Sequence, residues 1–83
     1  MSVTKYQIYL KTVEMGSFTA AARALNFTQS GVSHAIGSLE EELGVKLFIR
    51  SNHNIILTED GLLLKRRAQE ILSLTDKTKR EFI

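Results

Sequence analysis

The sequence predicts a mainly α-helical fold with one small β-hairpin and a long final helix. Three observations carry that expectation. Apolar residues recur three or four positions apart in four separate stretches, and Ser17, Thr28 and Thr58 stand as hydroxyl caps at the head of three of them. Between the third and fourth stretch, two short β-branched or aromatic runs flank a cluster of polar turn formers.

The first helix is expected over Thr4–Met15, with Tyr6, Tyr9, Leu10 and Val13 on one stripe and Lys5, Lys11 and Glu14 elsewhere. Its tyrosines read as core residues with a wet hydroxyl, and Gly16 as its C-cap. Ser17 then caps a second helix that carries Phe18, Ala21, Ala22 and Leu25 on one face. Asn26 suits a left-handed turn. Thr28 caps a third helix with Val32, Ala35, Ile36, Leu39 and Leu43 at helical spacing, closed by Gly44.

Helices two and three form the stretch on which a function can be read. The second is lined with Ala20, Ala21, Ala22 and Ala24, small enough for another helix to cross it closely. The third opens on Thr28, Gln29, Ser30, Ser33 and His34, polar side chains able to reach base edges or phosphate oxygens. A helix-turn-helix DNA reader needs that arrangement, because the N-terminal turns of its second helix enter the major groove. An αα-hairpin with a solvated polar face satisfies the same pattern. Glu40, Glu41 and Glu42 read as a solvated face turned away from DNA; adjacent helical residues point about 100° apart, so the three cannot converge on a metal ion.

Lys46–Arg50 and Ile55–Leu57 around Ser51-Asn52-His53-Asn54 predict the hairpin. On a three-helix core such a hairpin is the wing of a winged helix-turn-helix. Arg50, Ser51 and His53 are then its contacts to the DNA backbone or minor groove, or else a surface charge and solvated turn residues. Thr58 caps a last helix that runs without punctuation to the C-terminus, with Glu59 and Asp60 at the positive end of its dipole. Its residues Leu64, Ala68, Ile71, Thr75, Thr78 and Phe82 follow a heptad spacing. A heptad seam needs a second helix to cover it, which predicts a homodimer through this arm; a helix folded back on its own domain is the other reading, and the scattered basic residues count against a membrane-surface helix. The expected division is a DNA-binding unit over 1–61 and a linker or dimerisation helix over 62–83.

Composition narrows the classes. The chain has 83 residues, no cysteine and no proline, and its formal net charge is +2. The length fits one small domain. Without cysteine there are no disulfides, zinc thiolates or thiol nucleophiles; a reducing cytoplasm fits. No apolar run approaches a membrane span, and no signal-peptide pattern opens the chain. Glycine-rich phosphate loops and metal-ligand spacings are also missing, so no enzyme activity, cofactor or metal is expected. The charge divides unevenly, −1 over 1–61 and +3 over 62–83. Contact with DNA would therefore rest on few cations, backbone N–H groups and hydroxyls. A protein-binding or dimerisation module, with the helix pair as mere scaffold, is the alternative this low charge allows.

Taken together, Gly16-Ser17-Phe18-Thr19-x-Ala21-Ala22, Leu25, Gln29-Ser30-x-Val32-Ser33-x-x-Ile36-x-x-Leu39-Glu40-x-x-Leu43-Gly44-x-x-Leu47-Phe48-x-Arg50 and Leu57-Thr58-x-x-Gly61 resemble the N-terminal domain of LysR-type transcriptional regulators. The resemblance covers nearly the whole chain, in order and without gaps. It implies a winged helix-turn-helix followed by a linker helix that pairs two protomers on an interrupted inverted repeat of double-stranded DNA. It also implies a C-terminal domain that takes a small-molecule effector, to which nothing in this chain corresponds. Carried over by position, the DNA contacts fall on Thr28, Gln29, Ser30, Ser33 and His34, with Arg50 and the tip around His53 as the wing's share. Four places depart from the pattern. Ser30-Gly31 stands where Pro or Ala often follows the Gln, His34 where Arg is frequent, Gly37 where a longer and often basic side chain is common, and His53 and Ile56 where the wing is often basic.

Overall fold

Every described helix begins on a hydroxyl. In the computed structural model, which describes residues 2–51 and 54–83, α1 spans Val3–Met15, α2 Phe18–Leu25, α3 Gln29–Leu43 and α4 Glu59–Arg80. Ser2, Ser17, Thr28 and Thr58 accept from Lys5, Ala20, Gly31 and Gly61 N–H, three residues on in each case. Gly16, Asn26 and Gly44 end the first three helices in the left-handed conformation, at φ of 67°, 64° and 68°. That geometry favours glycine, and Asn26 is the non-glycine residue that adopts it.

Between α3 and α4 lie β1 (Phe48–Ser51) and β2 (Asn54–Leu57), paired antiparallel with Phe48 opposite Leu57 and Arg50 opposite Ile55. The first strand therefore starts two residues later than the expected Lys46. Leu47 is fully buried, and its N–H donates to Glu40 Oε2 at 2.8 Å rather than to a strand. His53, expected at the hairpin tip, lies outside the described residues.

α1 packs against α2, α3 and α4, and so forms the middle of the core. Its buried face is Tyr6, Ile8, Tyr9 and Thr12; of the expected stripe Tyr6 and Tyr9 are buried, and Leu10 and Val13 pack against the core partly covered. Thr12 is tolerated there because its hydroxyl donates to Ile8 O at 2.8 Å, leaving no unsatisfied polar atom. Phe48 joins the hairpin to this core. Its ring lies 5.5 Å from that of Tyr9, tilted, and 5.7 Å from that of Phe18, edge-to-face, pairs worth about 0.5–1.5 kcal/mol each beyond their burial.

The tyrosine hydroxyls were expected to be wet, but Tyr9 is fully buried and its hydroxyl donates to Gly61 O at 2.6 Å. Gly61 meanwhile sits so close to the Leu47 carbonyl and the Leu57 side chain that an added Cβ has no room. Thr58 completes this junction. Its N–H donates to Leu47 O at 3.1 Å and its hydroxyl donates to Lys46 O at 2.6 Å while accepting from Gly61 N at 2.9 Å. One small knot thus fixes the base of the hairpin, the start of α4 and the middle of α1 to one another.

Two outcomes follow for stability. Gly61→Ala forces a backbone shift at Leu47 and should cost about 1–3 kcal/mol, read as a lower urea midpoint. Burial pushes the Tyr9 phenol well above its ordinary value of 10.0, with the Glu40 charge adding to it. The unfolded chain therefore sheds this proton first, so the stabilisation is complete below pH 10 and declines as pH rises beyond it. Tyr9→Phe should lower stability at neutral pH by about 1–3 kcal/mol, by orphaning the Gly61 carbonyl, and should flatten the alkaline decline in a pH series of melting curves.

Candidate nucleic-acid interface

The outer face of α3 is defined by its inner one. Val32, Ala35, Ile36 and Leu39 are buried against α1 and α2. At 100° per residue the opposite side carries Ser30, Ser33, His34 and Gly37, one above another. Gln29, Ser30, His34 and Gly37 are exposed and Ser33 is half-buried. Behind them in α2, Ala21 and Ala22 are buried, whereas Ala24 is exposed. Thr28 is exposed, but its hydroxyl is engaged as the cap: it accepts from Gly31 N at 3.0 Å and lies 3.3 Å from Ser30 Oγ.

The expected recognition residues therefore fall together at one end of one helix. The expected wing residues are a separate group. Arg50 and Ser51 lie on β1, opposite Ile55 and Asn54, and the outer surface of the hairpin base carries Ile49 and Ile56, exposed and directly paired. Between α3 and the base of β1 runs an open trough of about 340 Å³, lined by Ser33, Gly37, Glu40 and Lys46 and by Phe18 and Phe48. Sequence reasoning misses Lys46 as part of this surface and marks Gly37 only as a departure from the family pattern. The sequence pattern puts Lys46 inside a strand, and the helical wheel of α3 alone does not show what faces it across a turn.

The three glutamates do not form one solvated face. Glu40 turns to the hairpin and holds the Leu47 N–H. Glu42 accepts from Lys5 Nζ at 3.1 Å, and Lys5 also donates to Ser38 at 2.6 Å, tying α1 to α3 on the far side. Glu41 is exposed. Their divergence is the 100° rule at work. Among the described residues no three histidines or carboxylates group in a way that could hold a metal ion. No described helix is long and apolar enough to cross a membrane.

The heptad stripe of α4 is divided. Leu64 and Ala68, expected to meet a partner helix, are buried in the chain's own core at 8% and 0% exposure, and Ile71 packs partly against it. The first turns of α4 thus belong to the same core as α1. Beyond Leu72 every described residue except the half-buried Thr75 is exposed, including Leu74, Thr78 and Phe82. A helix of 22 residues is about 33 Å long, and its second half extends beyond the other described elements of this chain.

Comparison with known proteins gives one consistent result. The family model for bacterial regulatory helix-turn-helix proteins of the lysR family matches residues 3–62. The chain is 44% identical over 78 residues to an uncharacterized HTH-type transcriptional regulator, YvbU, of Bacillus subtilis (strain 168), covering 93% of this chain and 27% of the relative. It is 42% identical over 77 residues to the HTH-type transcriptional regulator SoxR of Arthrobacter sp. (strain TE1826), again covering 93% and 27%. The chain thus spans about a quarter of the length of these curated relatives. Among solved structures, the CbnR DNA-binding domain in complex with DNA superimposes with a TM-score of 0.94 at 30% identity, over 98% of this chain and 93% of that one. The BenM domain with benA site 1 DNA gives 0.93 at 32%, over 99% and 92%.

Thr28 is the residue through which the site depends on the fold. Thr28→Ala should cost about 1 kcal/mol through loss of the α3 cap, measured by chemical denaturation. Thr28→Ser, which keeps the acceptor, should recover most of it.

Proposed function

The chain belongs to the lysR family of bacterial regulatory helix-turn-helix proteins, and on that premise we propose that it binds double-stranded DNA as a dimer to regulate transcription. Residues 28–43 enter the major groove and the hairpin around 50–54 reaches the adjacent minor groove or its backbone. Two protomers, joined through α4, read the two halves of an interrupted inverted repeat. One observation carries this reading: the exposed side of α3 is a run of hydrogen-bonding side chains backed by a fully apolar buried side.

The side chains divide by reach. Gln29 has the paired donor and acceptor for a bidentate contact to adenine. Ser33 reaches a base or a phosphate, Thr28 and Ser30 hold phosphate, and His34 faces the groove beside them. Arg50, Ser51 and His53 serve the backbone or the minor groove. Residues 1–61 are the reading unit and 62–83 the pairing arm, with Ile71, Thr75, Thr78 and Phe82 left for a partner once Leu64 and Ala68 are spent in the core. One domain discriminates only a few base pairs. Pairing raises the effective concentration of the second reader after the first has bound.

Duplex binding measured against salt and sequence tests the proposal. Gln29→Ala should relax preference at one base pair of each half-site by about 1–3 kcal/mol. Arg50→Ala should weaken binding to all sequences and flatten the salt dependence. Binding that shows no counterion release would instead indicate a protein-interaction module.

A further inference from the structure

We propose that His34 makes base reading depend on a proton: with its imidazole protonated, the chain prefers guanine at the base pair the ring faces, and the preference fades as the ring becomes neutral. The inference deepens the reading above, that α3 occupies the major groove, and rests on it. From Gln29 to Leu39 the helix holds no lysine, arginine, aspartate or glutamate, so His34 is the one ionisable side chain along that span. It stands on the exposed outer face. One turn to either side of it lie Ser30 and Gly31, then Gly37 and Ser38. Among these short neighbours the imidazole is the group that extends furthest from the helix.

The fold makes no use of the ring. Its nitrogens take part in no hydrogen bond or ion pair among the described residues. The charged groups on the surrounding elements are engaged with one another or stand apart from it. On α1, Lys5 reaches Ser38, one turn from His34, but its charge is met there by Glu42, and Lys11 is bonded to Glu14. Arg23 is exposed in the last turn of α2, and Lys46 lines the trough beside Ser33 and Gly37. On α3 itself Glu40 turns to the Leu47 N–H, whereas Glu41 shares the side of His34 two turns further on. That separation is about 10 Å along the axis, beyond the screening length of about 8 Å at physiological salt. No carboxylate of the fold is paired with the imidazole, so a ligand in the groove decides which protonation state is favoured.

An imidazole changes its hydrogen-bonding pattern within the physiological range, ordinarily near pH 6.5. Neutral, it has one N–H donor and one acceptor nitrogen. Protonated, it has two donors, no acceptor and a positive charge. Guanine presents two acceptors to the major groove, N7 and O6, and no other base presents two; adenine and cytosine present amino donors there. The protonated ring therefore suits guanine and meets the amino groups donor to donor. The neutral ring can accept from those amino groups through its bare nitrogen, and so discriminates less. Because contact with guanine favours the protonated ring, the complex holds more protons than the free chain, and affinity for the guanine site rises as pH falls.

The test is selection of duplexes from a random pool by the 83-residue chain at pH 5.5 and at pH 7.5, at equal ionic strength, followed by titration of the enriched duplex at both. At pH 5.5 guanine should be enriched at one position of each half-site, and that duplex should bind about tenfold more tightly than at pH 7.5, where the guanine is no longer required. His34→Gln should select the same sequences at both pH values. His34→Arg, charged at both, should require the guanine at both. Melting curves of the three chains should coincide, since His34 is exposed and unbonded. Binding that tightens equally for every sequence at low pH overturns the proposal, because the ring would then act as a charge and read nothing. A preference that shifts with pH in His34→Gln as it does in the parent overturns it too and moves the titrating group elsewhere, His53 being the chain's other histidine. If the parent binds no duplex at either pH, the groove reading falls and this inference with it. If the parent binds and Gln29→Ala alters specificity while the selected sequences are the same at both pH values, only the role given to His34 is wrong.

Discussion

The close approach of Gly61 to the Leu47 carbonyl is the constraint on which the rest of the arrangement depends. At that point the chain leaving α3, the returning hairpin strand and the first turn of α4 share one small volume. The Tyr9 hydroxyl closes it from α1 through the Gly61 carbonyl. A side chain at 61 would hold these elements apart, and the angle between the hairpin and α3 would no longer be fixed. The hydrogen bonds at the knot tie backbone groups of Lys46, Leu47, Thr58 and Gly61 to one another and to the buried or capping hydroxyls of Tyr9 and Thr58, which fixes the hairpin relative to α3.

On the proposed reading this rigidity matters, because the electrostatic attraction to DNA would be weak. The net charge of +2 supplies little general steering, so each cation and hydroxyl has to be well placed to count. Preorganisation reduces the ordering that binding would otherwise have to provide. Lys5 works at the opposite side of α3, where its bonds to Ser38 and Glu42 brace the helix against α1. The outer face is left to polar groups that the core does not need.

Local chemistry was readable from the sequence, and long-range coverage was not. Ser17, Thr28, Thr58, Gly16, Asn26 and Gly44 act on residues within one turn of themselves, so their roles follow from position alone. The outer face of α3 was legible for the same reason, since the buried spacing of Val32, Ala35, Ile36 and Leu39 implies its complement. Periodicity, by contrast, shows that a stripe must be covered without saying by what. Leu64 and Ala68 fit a heptad seam, yet α1 covers them within the chain. Leu43 kept the helical spacing but is 39% exposed, because Gly44 turns the chain away there. The dry hydroxyl of Tyr9 and the trough at Lys46 arise from residues 52 and several turns apart, which no local window contains.

On the proposed reading, α3 carries the chemistry of recognition and α4 would supply a second copy of it. The direct measurement is selection of bound duplexes from a random pool by the intact chain, with the enriched sequences aligned. The account predicts two half-sites related by a two-fold axis, their centres separated by close to a whole number of helical turns. Recovery of no enriched sequence, or of one asymmetric site that a single protomer occupies, would contradict it.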